Sequence, residues 1–385
     1  MFDGLCLELR HLTAYCFQPD VKVVYCWRPP SQPPSLPPPP TLPPSPASPP
    51  ALPLPLFSPP LTVDAKNNMS TIESPKWAVQ TGGTGPVLGF GIEYDGVGGA
   101  LVSGYFSGQA SFGSTSLTSR GAEDAFVMHV TASGAIDWAV QAGGESVTES
   151  NGIAHDGVGG ALVTGYFSGQ ASFGSTSLTS RGSTDAYVMH VTASGAIDWA
   201  VQAGGASQDQ GYGIAHDGVG GALVTGYFKG KISFGSTSLT SRGSTDAYVM
   251  HVTASGAIDW AVQAGGASQD QGYGIAHDGV GGALVTGYFS GQASFGSTSL
   301  TSRGIENAFV MHVTASGAID WAVQAGGESV TESNGIAHDG AGGALVTGYF
   351  SGQASFGSTS LTSRGSTDAF VMHVTASGAI DWAVQ

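Results

Sequence analysis

The sequence predicts an all-β fold, a β-propeller of five four-stranded repeats of 61 residues each. Three observations carry this expectation. Trp77, Trp138, Trp199, Trp260, Trp321 and Trp382 recur every 61 residues without insertion, the mark of a repeat architecture. Each interval holds short runs of β-branched and aromatic residues punctuated by glycine-rich turns. No stretch shows a helical period with caps.

The second repeat illustrates the elements. Asp137-Trp138-Ala139-Val140-Gln141 alternates apolar and polar residues and stops at Gly143-Gly144. After a loop, Gly152-Ile153-Ala154-His155-Asp156 reads as a short strand. Gly157-Val158-Gly159-Gly160 is a tight turn, rich in residues that tolerate positive φ. The run 161–167 is the next strand. The connection 168–184 is long, and Ser172-Phe173 and Ser177-Leu178 flank Gly174-Ser175 as a small hairpin. Asp185 to Val191 forms the last long strand, and Ser194-Gly195 turns it into the Trp199 strand. Four antiparallel strands per repeat make the blade of a propeller. The chain holds five copies of the Ile153-type strand but six of the Trp strand. An open arc, or a fragment of a larger propeller, is therefore the alternative to a closed ring. Each Trp sits within a strand pattern and is expected to pack between blades; an exposed ring would instead be a platform for a sugar.

The chain before the repeats differs in kind. Residues 1–28 form a short mixed segment, too small for a core of its own and expected to be poorly ordered. Asp3, Glu8 and Asp20 interrupt it, so it makes a poor signal peptide. Cys6, Cys16 and Cys26 all lie here, too widely spaced for the usual metal motifs and odd in number. Residues 29–60 hold 17 of the 20 Pro and predict a polyproline-II spacer with a reach of roughly 100 Å. Residues 61–76 continue as a polar linker in which Asn68-Met69-Ser70 fits a glycosylation sequon.

Charge narrows the partners. Residues 1–76 carry five acids and five bases, so the whole formal −16 lies in the repeats. Such a surface repels phosphate backbones and anionic membranes, which argues against nucleic acid. No apolar run is long enough to span a membrane as a helix. An unidentified protein or a carbohydrate remains the expected partner, and no cofactor is expected.

The runs Gly152-Ile153-Ala154-His155-Asp156-Gly157, Gly159-Gly160-Ala161-Leu162-Val163-Thr164-Gly165, Phe173-Gly174, Asp185-Ala186-Tyr187-Val188 and Ser194-Gly195 before Trp199 recur in order. In this they resemble the SBBP class of β-propeller repeat. The resemblance covers 77–385 and none of 1–76. It implies a propeller fold and a setting outside the cell or at its surface. It implies no catalytic residues. Met189-His190 departs from the pattern, where Lys is common in the family in place of His.

Candidate chemistry is repetitive. His155, His216, His277 and His338, with Tyr94 as the first counterpart, could ring a channel as a metal or pH site. The plainer expectation is four His bonded to their own turns. His129, His190, His251, His312 and His373 lie on another strand. Asp95, Asp156, Asp217, Asp278 and Asp339 read as turn caps, since a calcium loop gathers more oxygen ligands. Asp124, Asp185, Asp246 and Asp368 read likewise, and Asn307 replaces them once. The glycine turns lack the helix that a phosphate cradle needs. An active site needs groups in unlike environments, whereas these copies repeat one environment.

The repeats differ most after the Trp strand. Candidate binding residues there are Glu145, Thr148, Glu149 and Asn151; Gln208, Asp209 and Tyr212; Gln269, Asp270 and Tyr273; and Glu328, Glu332 and Asn334. Variable loops on a rigid scaffold are where recognition often sits, and neutral drift is the alternative. Three functions follow. The first is a non-catalytic scaffold that displays repeated loops for protein or ligand binding. The second is a lectin-like propeller. The third is a glycan-processing enzyme, which requires a unique cleft with two unlike carboxyl groups.

Overall fold

The computed structural model describes residues 77–385; the expectations for residues 1–76 lie outside the described residues. Every helix or strand among the described residues is a strand. Five antiparallel meanders repeat along the chain. In the second, Thr148–His155 pairs with Ala161–Phe167, which pairs with Asp185–Val191, which pairs with Ile197–Gly205. Alternate side chains enter the space between sheets, as period-two patterning requires.

The sheets differ from the expected four-stranded unit in two ways. First, the Trp strand is the fourth strand of the meander that precedes it and does not open the next one. Second, four of the sheets have six strands. The extra pair is the small hairpin predicted within 168–184, seen as Gln170–Phe173 and Thr176–Thr179. It lies in sequence within the second meander, yet it pairs with the Trp strand Ile136–Gly144 of the first, through Ala171↔Gly144 and Ser172↔Gly143. Its Phe173 side chain turns the other way. The ring sits at 5.6 Å from Phe167 and 4.8 Å from Tyr187, both of the second blade. Backbone in one blade and ring in the next join the two. Local patterning shows the hairpin but cannot say which sheet edge it extends.

The blades stack in chain order through their first strands, from Val87–Tyr94 to Thr331–His338. Each junction buries a continuous apolar layer. Leu162, Ala186 and Val188 of blade 2 share one core with Ile214, Val224 and Phe228 of blade 3. The ends differ. Blade 5 has four strands, and the first described strand, Gly82–Gly83, lies beside the hairpin Gln109–Phe112 and Thr115–Thr118. Blades 1 and 5 lack the strand contacts that join the other neighbours. The described residues form an open row of blades, and the closed five-bladed ring is not among their contacts.

Candidate functional site

Each meander has two ends. One carries only tight turns, and they are nearly identical in all five blades. In blade 2 the first of them is Asp156-Gly157-Val158-Gly159-Gly160, where Gly157 and Gly159 take φ of 87° and 100°. Asp156 Oδ1 accepts from the amides of Val158 and Gly160, both at 2.8 Å. This is the expected capping role. The other carboxylate oxygen does something the sequence did not announce. It lies 2.8 Å from His190 Nε2, while His190 Nδ1 lies 2.7 Å from Asp198. The Asp–His–Asp clamp recurs at His129, His251, His312 and His373.

The clamp tunes its members. Burial opposes charge on Asp156, but His190 and the two turn amides outweigh it and hold the carboxyl below its usual value. Burial likewise opposes charge on His129, and hydrogen bonds to Asp95 and Asp137 outweigh it, raising the imidazole. Only a protonated imidazole can donate to both carboxylates at once.

The Trp completes this end. Trp260 stacks on His251 at 5.8 Å, and its Nε1 donates to Ala315 O of the next blade at 3.2 Å. Gly317, at φ 82°, lies under the ring; a Cβ there would come within 2.8 Å of it. The Trp therefore lies between blades as expected. It is half-buried at the rim, however, and not in the core. Trp260→Ala should cost about 2–3 kcal/mol, from a half-buried ring and one hydrogen bond. Chemical denaturation of the full chain checks this value, and Trp260→Phe should recover part of it.

The strand-end His residues are committed to their own turns. His155 Nδ1 accepts from the Gly157 amide at 3.0 Å, and His216 Nε2 accepts from Gly220 at 2.9 Å. His277 and His338 accept from Gly281 and Gly342 in the same way. Among the described residues no group of three or more His, Cys, Asp or Glu is placed to hold a metal ion.

At the tips of these turns stand Val97, Val158, Val219 and Val280, exposed by 80%, 83%, 84% and 85%. Ala341 holds the fifth tip. Between the fourth and fifth turns lies an open depression of about 530 Å³ lined by Asp278, Val280, His312, His338 and Ala341. Sequence reasoning passed over these valines. The available signal was an apolar residue set between glycines in a turn that four blades repeat.

The opposite end holds the candidate loop residues, and the structure divides them. Glu145, Gln208, Gln269 and Glu328 stand exposed on the connection after the Trp strand. The others lie on the first strand of the following blade. Thr148, Asp209 and Asp270 are buried there. Glu149, Asn151, Tyr212, Tyr273 and Glu332 are half-buried, and Asn334 is exposed on the last blade. These residues join blades. Asn151 Nδ2 donates to Gly211 O of the next blade at 2.8 Å, and the rings of Tyr212 and Tyr273 meet at 5.2 Å. Asp209 accepts from the Gly205 amide at 2.7 Å, and burial pushes its carboxyl up to about 7. Burial does the same to Asp270, with a further push from Asp246. Burial and the neighbouring Glu149 raise Glu123 in a carboxyl pair across the first junction. Most of the residues that vary in sequence thus lie at the contacts between blades, while Glu145, Gln208, Gln269, Glu328 and Asn334 are exposed.

Comparison with known families agrees with this architecture. Residues 198–227 and 259–288 match the SBBP beta-propeller repeat. Each matched SBBP segment begins in the Trp strand of one blade and ends in the second strand of the next, so it spans a blade junction. No curated protein matches the chain.

Proposed function

We propose that the repeat region is a non-catalytic scaffold presenting a row of rigid, apolar-tipped turns to a protein partner. The exposure of Val97, Val158, Val219 and Val280, each above three-quarters, carries this reading. An isolated exposed valine has no significance, but the same tip repeated along one edge offers several weak contacts that add by avidity. The Asp cap and the His clamp hold each tip, so little ordering entropy is lost on binding. The clamp residues repeat the same hydrogen bonds in every blade, which supports binding over asymmetric chemistry. The sugar-binding alternative needs free aromatic faces, and the internal Trp rings lie between a His and a neighbouring turn.

The test is binding of the full chain to a protein and glycan array, with wild type beside V97S/V158S/V219S/V280S. The four side chains are exposed, so the variant should keep its thermal midpoint. One substitution should weaken a protein ligand about 3-fold, and all four together about 80-fold. Undiminished binding by the quadruple variant would overturn the proposal.

A further inference from the structure

The two end faces of the blade row are the two halves of its internal junction. Within the row, the face that a blade turns toward its successor is fully covered. Leu223, Ala247 and Val249 of blade 3 are buried against blade 4, as are Leu284, Ala308 and Val310 of blade 4 against blade 5. Among the described residues no further blade covers the matching face of blade 5. Its Ala369 and Thr347 are exposed, and Leu345 and Val371 are half-buried. At the other end, the receiving face of blade 1 is open. Ile153, Ile214 and Ile275 sit at 7–8% exposure against the preceding blade, whereas their counterpart Ile92 is 41% exposed. Leu88 and Phe90 beside it reach 39% and 53%.

The edges of these faces also correspond. Internal junctions come in two kinds. Where a blade opens with Asp-Gln-Gly-Tyr, at 209–212 and 270–273, its predecessor contributes Thr184-Asp185 or Thr245-Asp246. Where a blade opens with Thr-Glu-Ser-Asn, at 148–151 and 331–334, its predecessor contributes Glu123-Asp124 or Glu306-Asn307. The backbones meet at this point in both kinds. The Asp209 amide donates to Thr184 O at 3.0 Å, and the Thr148 amide donates to Glu123 O at 2.9 Å. Blade 5 contributes Thr367-Asp368, which is the first kind. Blade 1 opens with Val87-Leu88-Gly89-Phe90, which carries the glycine and aromatic residue of that same kind. The carboxyl of Asp209 stands near that of Asp185 in an internal junction, and the residue at its position in blade 1 is Val87. Asp368 would therefore meet an apolar side chain and no second carboxylate, so this junction lacks the like-charge cost of the internal ones.

We propose that the occupant of each end face is a second copy of this chain, with blade 5 of one copy seated on blade 1 of the next, head to tail. The proposal does not depend on the binding role given above. Blades 1 and 5 of one chain do not make this junction themselves. The contact is heterologous, so it leaves a free face at each end and can extend or close into a ring.

The experiment is sedimentation of the 385-residue chain across a micromolar concentration series. The expected result is a mass that rises from the 38.8 kDa of one chain in multiples of that value. Ile92→Arg spoils the receiving face and Ala369→Arg spoils the other; both side chains are exposed in a single copy. Each variant alone should remain at one chain's mass. Mixed one to one, they should form a dimer and nothing larger, because one sound face of each kind remains. Leu88→Glu and Thr347→Arg repeat the test if either variant misfolds by circular dichroism. A wild type that stays at one chain's mass throughout overturns the proposal. So does assembly that both variants leave intact, or a mixture that never dimerises.

Discussion

Phe173→Ala is expected to destabilise the protein by about 3–5 kcal/mol, the usual cost of deleting a buried aromatic ring. Phe173 is fully buried, packs edge-on to Phe167, and meets Tyr187 more closely still. Its strand also extends the sheet of the preceding blade. The lesion should therefore loosen both blades at once. In a row where each repeat contacts only its neighbours, it should spread little further. Hydrogen exchange should show lost protection in 136–144 and 161–191, while 307–327 stays protected. The equivalent change at Phe356, in the last hairpin, should loosen blades 4 and 5 and leave blade 1 intact. Uniform loss of protection along the chain after either substitution would contradict a nearest-neighbour architecture.

Thermal stability is expected to be greatest well on the acid side of neutrality, near pH 4 to 5. Three sets of groups combine to give this. Asp209 and Asp270 are pushed up to about 7 by burial, so the folded state holds their protons more tightly than the unfolded chain does. Their contribution is complete below about pH 4 and is lost as pH rises toward 7. It amounts to about 1–3 kcal/mol each. His129 and His373 are raised by their flanking carboxylates, against the opposing effect of burial. Their contribution is present below the ordinary histidine value and is lost as pH rises through the higher folded one. Asp95, Asp156, Asp217, Asp278 and Asp339 are held low despite burial, so their contribution disappears only as pH falls below the ordinary carboxylate range. Melting curves between pH 3 and pH 9 check the optimum. Asp209→Thr and Asp270→Thr borrow the residue found at Thr148 and Thr331, and together they should flatten the fall between about pH 4 and 7. A stability that climbs steadily from pH 5 to pH 8 would show that these carboxyls are not held protonated.

Much of this molecule is legible in its sequence. The repeat is visible in six evenly spaced Trp residues, and the strands are visible in period-two patterns between glycine turns. The turn-capping Asp residues and the strand-end His residues could be read from local chemistry, because the bonds they make span only two to four residues. These interactions depend on neighbours in the chain, so a short window of sequence contains both partners.

What the window could not contain was decided by the tertiary structure. Asp156 and His190 are 34 residues apart, and only the pairing of strands 161–167 and 185–191 brings them together. The hairpin 170–179 is local, but the edge it extends belongs to the previous blade. Asp209 looked like part of a variable loop, yet packing of one blade on the next buries it. The repeat, its strands and its turns are legible in the chain alone, since alternation and turn chemistry act over a few residues. Which faces meet, which carboxyls lose water and which surfaces stay open depend on how identical sheets stack, and that is settled only when the blades pack.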